Sequence, residues 1–338
     1  MKESISNTLQ LMIADMSKAS NLYIPTKYWS NHVNEIISEI NSKGIDDFRS
    51  SSSKGIQAFG AYSYRPLYSY RPRFWRYFRL LHSTPCFNRL ASIVQSEVEK
   101  GYRIAESQAN YKMRLGYELI KSNVPEFFDD IEDRLVGGAE SILINDKLYT
   151  ETFLLKCIDY LDIVRHTTKN YNIQSILEIG AGFGGLAEIF LRKNKLLKYI
   201  IVDIPPVLAF SQWYLNQHFT GEVLSYDESR KMEKIDINSI DKRVIILAPW
   251  QIEDVVGPID LFVNQASFQE MTKDVVENYA TKIKSIGVKN IFIDNGKNDN
   301  HERPGLNREF YLQIFKPLNL ENEWPNILHP GYTRLLLS

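Results

Sequence analysis

A glycine-rich segment in the second half of the chain carries the clearest chemical signal. Residues 176–185 read Ile-Leu-Glu-Ile-Gly-Ala-Gly-Phe-Gly-Gly, so an apolar run that includes Glu178 passes into a turn with Gly180, Gly182 and Gly184. Glycine lets a backbone turn tightly and approach a ligand closely, because it has no Cβ. A helix that begins after such a turn presents unpaired N–H groups and the positive end of its dipole. The segment therefore predicts a loop that binds a ligand along its backbone.

An aspartate after the next apolar run indicates which ligand this loop binds. Asp203 follows residues 199–202, about one βαβ unit after the glycines, where a carboxylate can accept hydrogen bonds from both ribose hydroxyls. Glu178 stands two residues before the first glycine, so the segment resembles the first motif of class I methyltransferases, and it lies past the midpoint of the chain. Both features favour S-adenosylmethionine over NAD. A dinucleotide, or a glycine turn without a ligand, is the alternative interpretation. We expect S-adenosylmethionine, with Glu178 hydrogen-bonded through the turn or toward the amino group and Ile204 beside adenine.

Two further residues are candidates for the adenine pocket. Trp250 and Gln251 follow the apolar run 244–248, at the point where the next strand of such a sheet would end. An indole face suits contact with a base, and the amide of Gln251 could read its edge. Packing of Trp250 in the core is the alternative interpretation.

Transfer of a methyl group to a hydroxyl needs a group that takes the proton of the acceptor. Glu270 is the first candidate, because it follows the apolar run 259–264 and would face the methyl group. Alternatively, Glu270 caps the helix expected from Thr272 or pairs with Lys273. His301 is the second candidate, since it lies in a polar loop after a strand and imidazole titrates in the useful range.

A basic segment rich in tyrosine, residues 61–79, is the most unusual part of the sequence. Tyr-Ser-Tyr-Arg-Pro-Leu at 62–67 is nearly repeated by Tyr-Ser-Tyr-Arg-Pro-Arg at 68–73. Guanidinium groups make bidentate contacts with phosphate, so Arg71 and Arg73 predict a substrate that carries phosphate. Stacking of nucleobases on the tyrosines is one alternative. A loop whose tyrosines pack and whose arginines pair with acidic helices is the other.

The elements that would position these residues alternate strand and helix. Strand-like runs occur at 222–226, 244–248, 259–264 and 290–294; amphipathic stretches at 207–219 and 272–286; and a closing hairpin at 327–328 and 332–337. This order predicts an α/β fold, a Rossmann-like sheet that is mostly parallel and ends in an antiparallel hairpin. We expect a mainly helical region at 1–150 that covers the substrate, and a cofactor-binding domain at 151–338.

Several of these segments together resemble one family. The glycine segment, Ile-Ile-Val-Asp-Ile-Pro at 200–205, Leu-Ala-Pro-Trp at 247–250, and the run from Asp260 to Met271 are similar to the bacterial sugar O-methyltransferases within class I of the S-adenosylmethionine-dependent enzymes. Tyr28-Trp29 and the stretch 44–49 also resemble the beginning of that family. The resemblance covers nearly the whole chain and implies methylation of a hydroxyl on a sugar or sugar nucleotide, during the assembly of a surface glycan or glycosylated metabolite.

Composition limits the remaining possibilities. The 338 residues are 44% apolar and 24% charged with a net charge of −1, which gives no general attraction to nucleic acid. No apolar run approaches the length of a membrane span, and only Cys86 and Cys157 occur, so we expect a cytoplasmic protein. No set of candidate metal-ligating side chains has the spacing of a defined metal-binding loop. A nucleic-acid methyltransferase, another small-molecule methyltransferase and a catalytically inactive partner of a glycosyltransferase stay open, as does oligomerisation.

Overall fold

The computed structural model describes residues 2–51, 53–60, 110–111, 113–167, 172–296, 306–326 and 331–338. Helices dominate the N-terminal part and then alternate with strands. The helices are α1 (Lys2–Met16), α2 (Lys27–Lys43), α3 (Lys54–Ala58), α4 (113–123), α5 (Glu151–Thr167), α6 (Gly185–Lys193), α7 (Pro205–His218), α8 (Tyr226–Ser229), α9 (Lys273–Ile286) and α10 (Arg308–Ile314). The strands are β1 (Ile142–Ile144), β2 (Lys147–Tyr149), β3 (Ser175–Ile179), β4 (Lys198–Val202), β5 (Val223–Leu224), β6 (Ile235–Asp236), β7 (Val244–Leu247), β8 (Val255–Val256), β9 (Leu261–Gln265), β10 (Asn290–Gly296), β11 (Leu320–Pro325) and β12 (Tyr332–Leu337).

One eight-stranded sheet organises the fold, in the order β11-β12-β10-β9-β3-β4-β7-β5. The strands from β10 to β5 pair in parallel, whereas β12 pairs antiparallel with both β10 and β11. The predicted sheet, mostly parallel with a closing antiparallel hairpin, is therefore confirmed.

The core lies on both faces of this sheet. Alternate residues of β4 show it, because Tyr199 and Ile201 pack with α6 and α7 on one face, whereas Ile200 and Val202 pack with α9 on the other. Strands covered on both faces read as continuous apolar runs, which is why these strands are recognisable in the sequence.

The N-terminal helices pack directly on this α/β unit. The Asp15 carboxylate of α1 accepts hydrogen bonds from Tyr226 Oη at 2.9 Å and from Arg230 Nε at 2.7 Å. The chain between α1 and α2 consequently passes close to the carboxyl edge of the sheet. Among the described helices, none has the length and apolarity that crossing a membrane would require.

Two predicted strands differ from those observed. The run at 222–226 forms only Val223–Leu224, because Ser225 caps α8 in a reciprocal pair of bonds with Glu228. The first arm of the closing hairpin is Leu320–Pro325, and 327–330 lie outside the described residues. The part before residue 150 also contains a strand pair, β1 and β2, beside its helices.

Candidate functional site

A cavity of about 340 Å³ lies at the carboxyl ends of β3, β4, β9 and β10. This volume falls within the range of small-molecule sites, roughly 300–1,000 Å³. Its floor comes from the strand ends and the glycine turn, and its roof from two N-terminal segments. The roof residues are Leu22, Tyr23, Ile24, Pro25, Thr26 and Trp29 before and in α2, and Gln57, Ala58, Phe59 and Gly60 at the end of α3.

The glycine turn requires glycine for two reasons. Gly180 and Gly182 have φ angles of 76° and 60°, in the left-handed region that residues with a Cβ rarely adopt. A Cβ on Gly182 would lie 2.5 Å from the carbonyl oxygen of Phe59, and one on Gly180 would lie 2.2 Å from Ser267 Cβ. Both glycines line the cavity. Gly184 begins α6 as its N-cap and faces Leu215, so it shapes the turn without lining the cavity.

Asp203 is held against the glycine turn by two backbone hydrogen bonds. Its Oδ2 accepts from Gly182 N at 2.9 Å, and its Oδ1 accepts from Ile204 N at 2.7 Å. Burial raises the pKa of Asp203 to about 8, although these two hydrogen bonds act in the opposite direction. Hydroxyl donors on a bound ligand would favour the ionised carboxylate further. The carboxylate lines the cavity, as does Ile204, the residue before α7.

Glu178 lies deeper in the same wall and is only 2% exposed. Its Oε2 accepts a hydrogen bond from Tyr199 Oη at 2.8 Å. Burial raises the pKa of Glu178 to about 7, against the opposing effects of Lys156 and of the bond from Tyr199. A cationic group of a ligand in the cavity would favour the charged form of Glu178.

Glu270 also lines the cavity, on the short turn after β9. Its Oε2 accepts a hydrogen bond from Trp29 Nε1 at 2.9 Å, and its backbone oxygen accepts one from Thr26 Oγ1 at 3.2 Å. Lys273, the alternative partner considered above, lies near Glu277 instead. The contact between Glu270 and the N-terminal region was not predicted, because no local pattern links residues 241 positions apart.

The structure places Trp250 and Gln251 outside the cavity wall. The Gln251 side chain is 4% exposed, with its Oε1 accepting from Ala248 N at 2.8 Å and its Nε2 donating to Ser229 Oγ at 3.2 Å. Trp250 packs edge-on against Tyr226. Pro249 is the wall residue at this edge, so the structure does not bring Trp250 and Gln251 into the cavity wall, and their contact with adenine stays a prediction.

A buried cation supports the wall on the side of β10. Arg334 on β12 is fully buried and donates from Nε to Asp294 Oδ2 at 3.0 Å, and its other nitrogens pair with Asp159 and Asp162 of α5. Asn326 Nδ2 donates to the same Asp294 oxygen at 2.7 Å. Burial raises the pKa of Asp294, with Arg334 opposing the effect.

The other site residues predicted from the sequence, His301, Arg71 and Arg73, lie outside the described residues, so their roles stay predictions. Within the ranges that the structure describes, no group of three or more His, Cys, Asp or Glu side chains has the arrangement of a metal site.

Comparison with known proteins gives similarity of structure alone. No protein-family profile matches the chain. The search of curated proteins finds no match either. Mitomycin 7-O-methyltransferase MmcR is 13% identical over 55% of this chain and 56% of its own, with a TM-score of 0.37. The pyocyanin biosynthetic protein PhzM is 10% identical over 54% of this chain and 56% of its own, with a TM-score of 0.39.

A third similar structure is magnesium protoporphyrin IX methyltransferase ChlM from Synechocystis PCC 6803 with bound S-adenosylmethionine. It is 8% identical over 55% of this chain and 78% of its own, with a TM-score of 0.38. The chain thus spans little more than half the length of MmcR and PhzM. Since these TM-scores are low, we base the functional proposal on the cavity.

Proposed function

We propose that this chain is an S-adenosylmethionine-dependent methyltransferase that methylates a hydroxyl group of a sugar. The observation that carries the proposal is the placement of Asp203. Its carboxylate is fixed by Gly182 N and Ile204 N beside a turn that only glycine can form, and it lines a cavity of the size of a small-molecule site. Such a carboxylate is suited to accept hydrogen bonds from a ribose diol.

The residues of the wall fit the parts of this cofactor. Asp203 would hold the ribose hydroxyls of the cofactor. The backbone of Gly180 and Gly182 would lie along its methionine portion, and Glu178 would face its amino group. The bound cofactor supplies the methyl group as an electrophile on a positively charged sulfur. The contribution of the protein is to hold donor and acceptor in line, which removes much of the entropic cost of their meeting.

Glu270 would take the proton of the acceptor hydroxyl. Its carboxylate lines the cavity next to Ser267, which itself contacts the glycine turn. The bond from Trp29 Nε1 orients one carboxylate oxygen. Because a carboxylate accepts protons and hydrogen bonds and donates none, Glu270 suits the role of a general base.

Two observations support a sugar as the acceptor. The first is the resemblance of the sequence described above. The second is the chemistry of the wall, because three carboxylates line it beside the two assigned to the cofactor, and carboxylates accept hydrogen bonds from hydroxyl groups. They are Asp159, Glu270 and Asp294. Asp294 Oδ1 is buried and has no hydrogen-bond partner among the described residues. An acceptor with several hydroxyl donors is therefore favoured.

Transfer of a labelled methyl group from S-adenosylmethionine to a panel of free sugars and sugar nucleotides tests the acceptor. We expect product with a sugar nucleotide, and we expect Arg71→Ala with Arg73→Ala to raise its KM more than they lower kcat, since phosphate contacts lie far from the methyl group. The matched control is the free sugar, whose KM should not change in the variant. Equal efficiency with the free and the nucleotide-linked sugar would contradict the phosphate contact, and turnover on DNA or RNA alone would contradict the sugar.

A further inference from the structure

Lys156 on α5 occupies a distinctive position in the cavity. It is the one basic side chain among the described residues of the wall, where five carboxylates also lie. Its Nζ donates to Gln265 Oε1 at 3.0 Å, at the end of β9, and to Asp159 Oδ2 at 3.3 Å. An ammonium group has three N–H donors. Two acceptors therefore leave one donor for a ligand.

The side chain of Lys156 also lies beside the glycine turn. Its Cγ would be 3.5 Å from a Cβ built on Gly185, the first residue of α6, and its charge lowers the pKa of Glu178. A cation and a buried carboxylate thus stand next to each other between β3 and β9. This pair is complementary to a zwitterion, with Lys156 facing its carboxylate and Glu178 facing its ammonium group.

The distance from Asp203 agrees with one ligand that reaches both places. Asp203 follows β4, and Gln265 ends β9, with β3 between them. Two strand spacings amount to about 10 Å. The chain that joins ribose to an amino acid group in an adenosyl amino acid can bridge such a span.

We propose that Lys156 binds the α-carboxylate of the cofactor and, together with Glu178, selects an adenosyl ligand that carries an amino acid over one that does not. This assignment rests on the function proposed above, since it concerns the same cavity. It gives Lys156 a binding role at the end of the cavity next to β9.

Calorimetric titration with three ligands distinguishes the contribution of the ligand's carboxylate from that of its amino group. S-adenosylhomocysteine carries the whole amino acid group, its decarboxylated analogue lacks only the carboxylate, and 5′-methylthioadenosine lacks both charged groups. We expect Lys156→Gln to weaken S-adenosylhomocysteine about tenfold or more, which is the effect of losing a bond to a charged group. The affinities for the other two ligands should change little, because neither has a carboxylate. Glutamine retains an amide donor toward Asp159 and Gln265.

Lys193→Gln is the matched control, because Lys193 pairs with Asp130 and does not line the cavity. It should leave all three affinities unchanged. Equal weakening of the three ligands by Lys156→Gln, or no weakening of any, would overturn the assignment of Lys156. If the unaltered protein binds none of the three, the proposed function itself fails, and that result is distinct from a failure of this assignment. The unfolding midpoint of each variant shows that the protein is folded.

Discussion

Replacing Glu270 by glutamine should lower kcat for methyl transfer by about 10²- to 10⁴-fold, the usual contribution of a positioned base. Glutamine keeps the size of the side chain and an oxygen that can accept the bond from Trp29 Nε1, but it cannot take a proton. The affinity for S-adenosylhomocysteine should stay within about twofold, because Glu270 makes no proposed contact with the cofactor. Single-turnover measurement with the acceptor found in the sugar panel gives the rate of the chemical step.

Glu277→Gln is the control for this change, because Glu277 lies on α9 with its side chain 50% exposed. His301→Ala is the competing variant, since the sequence names His301 as the second candidate base. A wild-type rate in Glu270→Gln together with a large loss in His301→Ala would reverse the assignment. A wild-type rate in both variants would exclude both residues as the base.

Replacing Arg334 by methionine should lower the free energy of unfolding by about 3–5 kcal/mol, the typical result of removing one partner from a buried ion pair. Arg334 is fully buried and contacts Asp159, Asp162 and Asp294, so the variant would remove the cation that these three carboxylates share, and Asp159 would keep only Lys156. Urea unfolding followed by circular dichroism provides the measurement. The loss should become smaller as the pH falls toward 5, because burial raises the pKa of Asp294 and the variant removes the opposing effect of Arg334, so that this carboxyl group binds a proton in the folded state that the unfolded chain releases.

Arg308→Met provides the comparison for Arg334→Met. Arg308 pairs with Glu323 on the surface, with side chains 37% and 35% exposed, and such pairs contribute about 0–1 kcal/mol. Arg334→Lys keeps the positive charge and should lower the free energy of unfolding less than Arg334→Met does. Equal stability of Arg334→Met and Arg308→Met would contradict the view that Arg334 holds the wall of the cavity together.

The parts of the fold that bury continuous apolar runs could be predicted from the sequence. The strands around the glycine turn are of this kind, and so is α9, which begins at Lys273 where the pattern predicts a helix from Thr272. The strand β11 was missed because it lies at the edge of the sheet. Its residues, Leu-Glu-Asn-Glu-Trp-Pro, are mostly polar, which is typical of an edge strand that must not pair with another chain.

The same distinction applies to the residues of the site, some of which a local sequence pattern reveals and others not. Asp203 and the glycines are recognisable because their spacing reflects one local βαβ unit. Trp29 was missed because it reaches the cavity from a helix distant in sequence, and Lys156 was missed because it belongs to no recognised motif in the helix before β3. The sequence nonetheless contains a signal for Lys156, since Lys156 and Asp159 are three residues apart in α5 and so share one face of an otherwise largely apolar helix. Arg334 has a signal as well, as a single cation within the apolar end of β12.

Calorimetric titration of S-adenosylhomocysteine at pH 8.5 into the unaltered protein and into Asp203→Ala tests the central claim most directly, with NAD as a second ligand. We predict micromolar affinity for S-adenosylhomocysteine, no binding of NAD, and a loss of about 1.5–3 kcal/mol in the variant, the value of hydrogen bonds to a charged group. Because the pKa of Asp203 is raised to about 8, the affinity of the unaltered protein should fall as the pH is lowered to 6.5, and that of Asp203→Ala should fall less. Binding of NAD without S-adenosylhomocysteine, or equal affinity of the two proteins for S-adenosylhomocysteine, would contradict the assignment of this cavity.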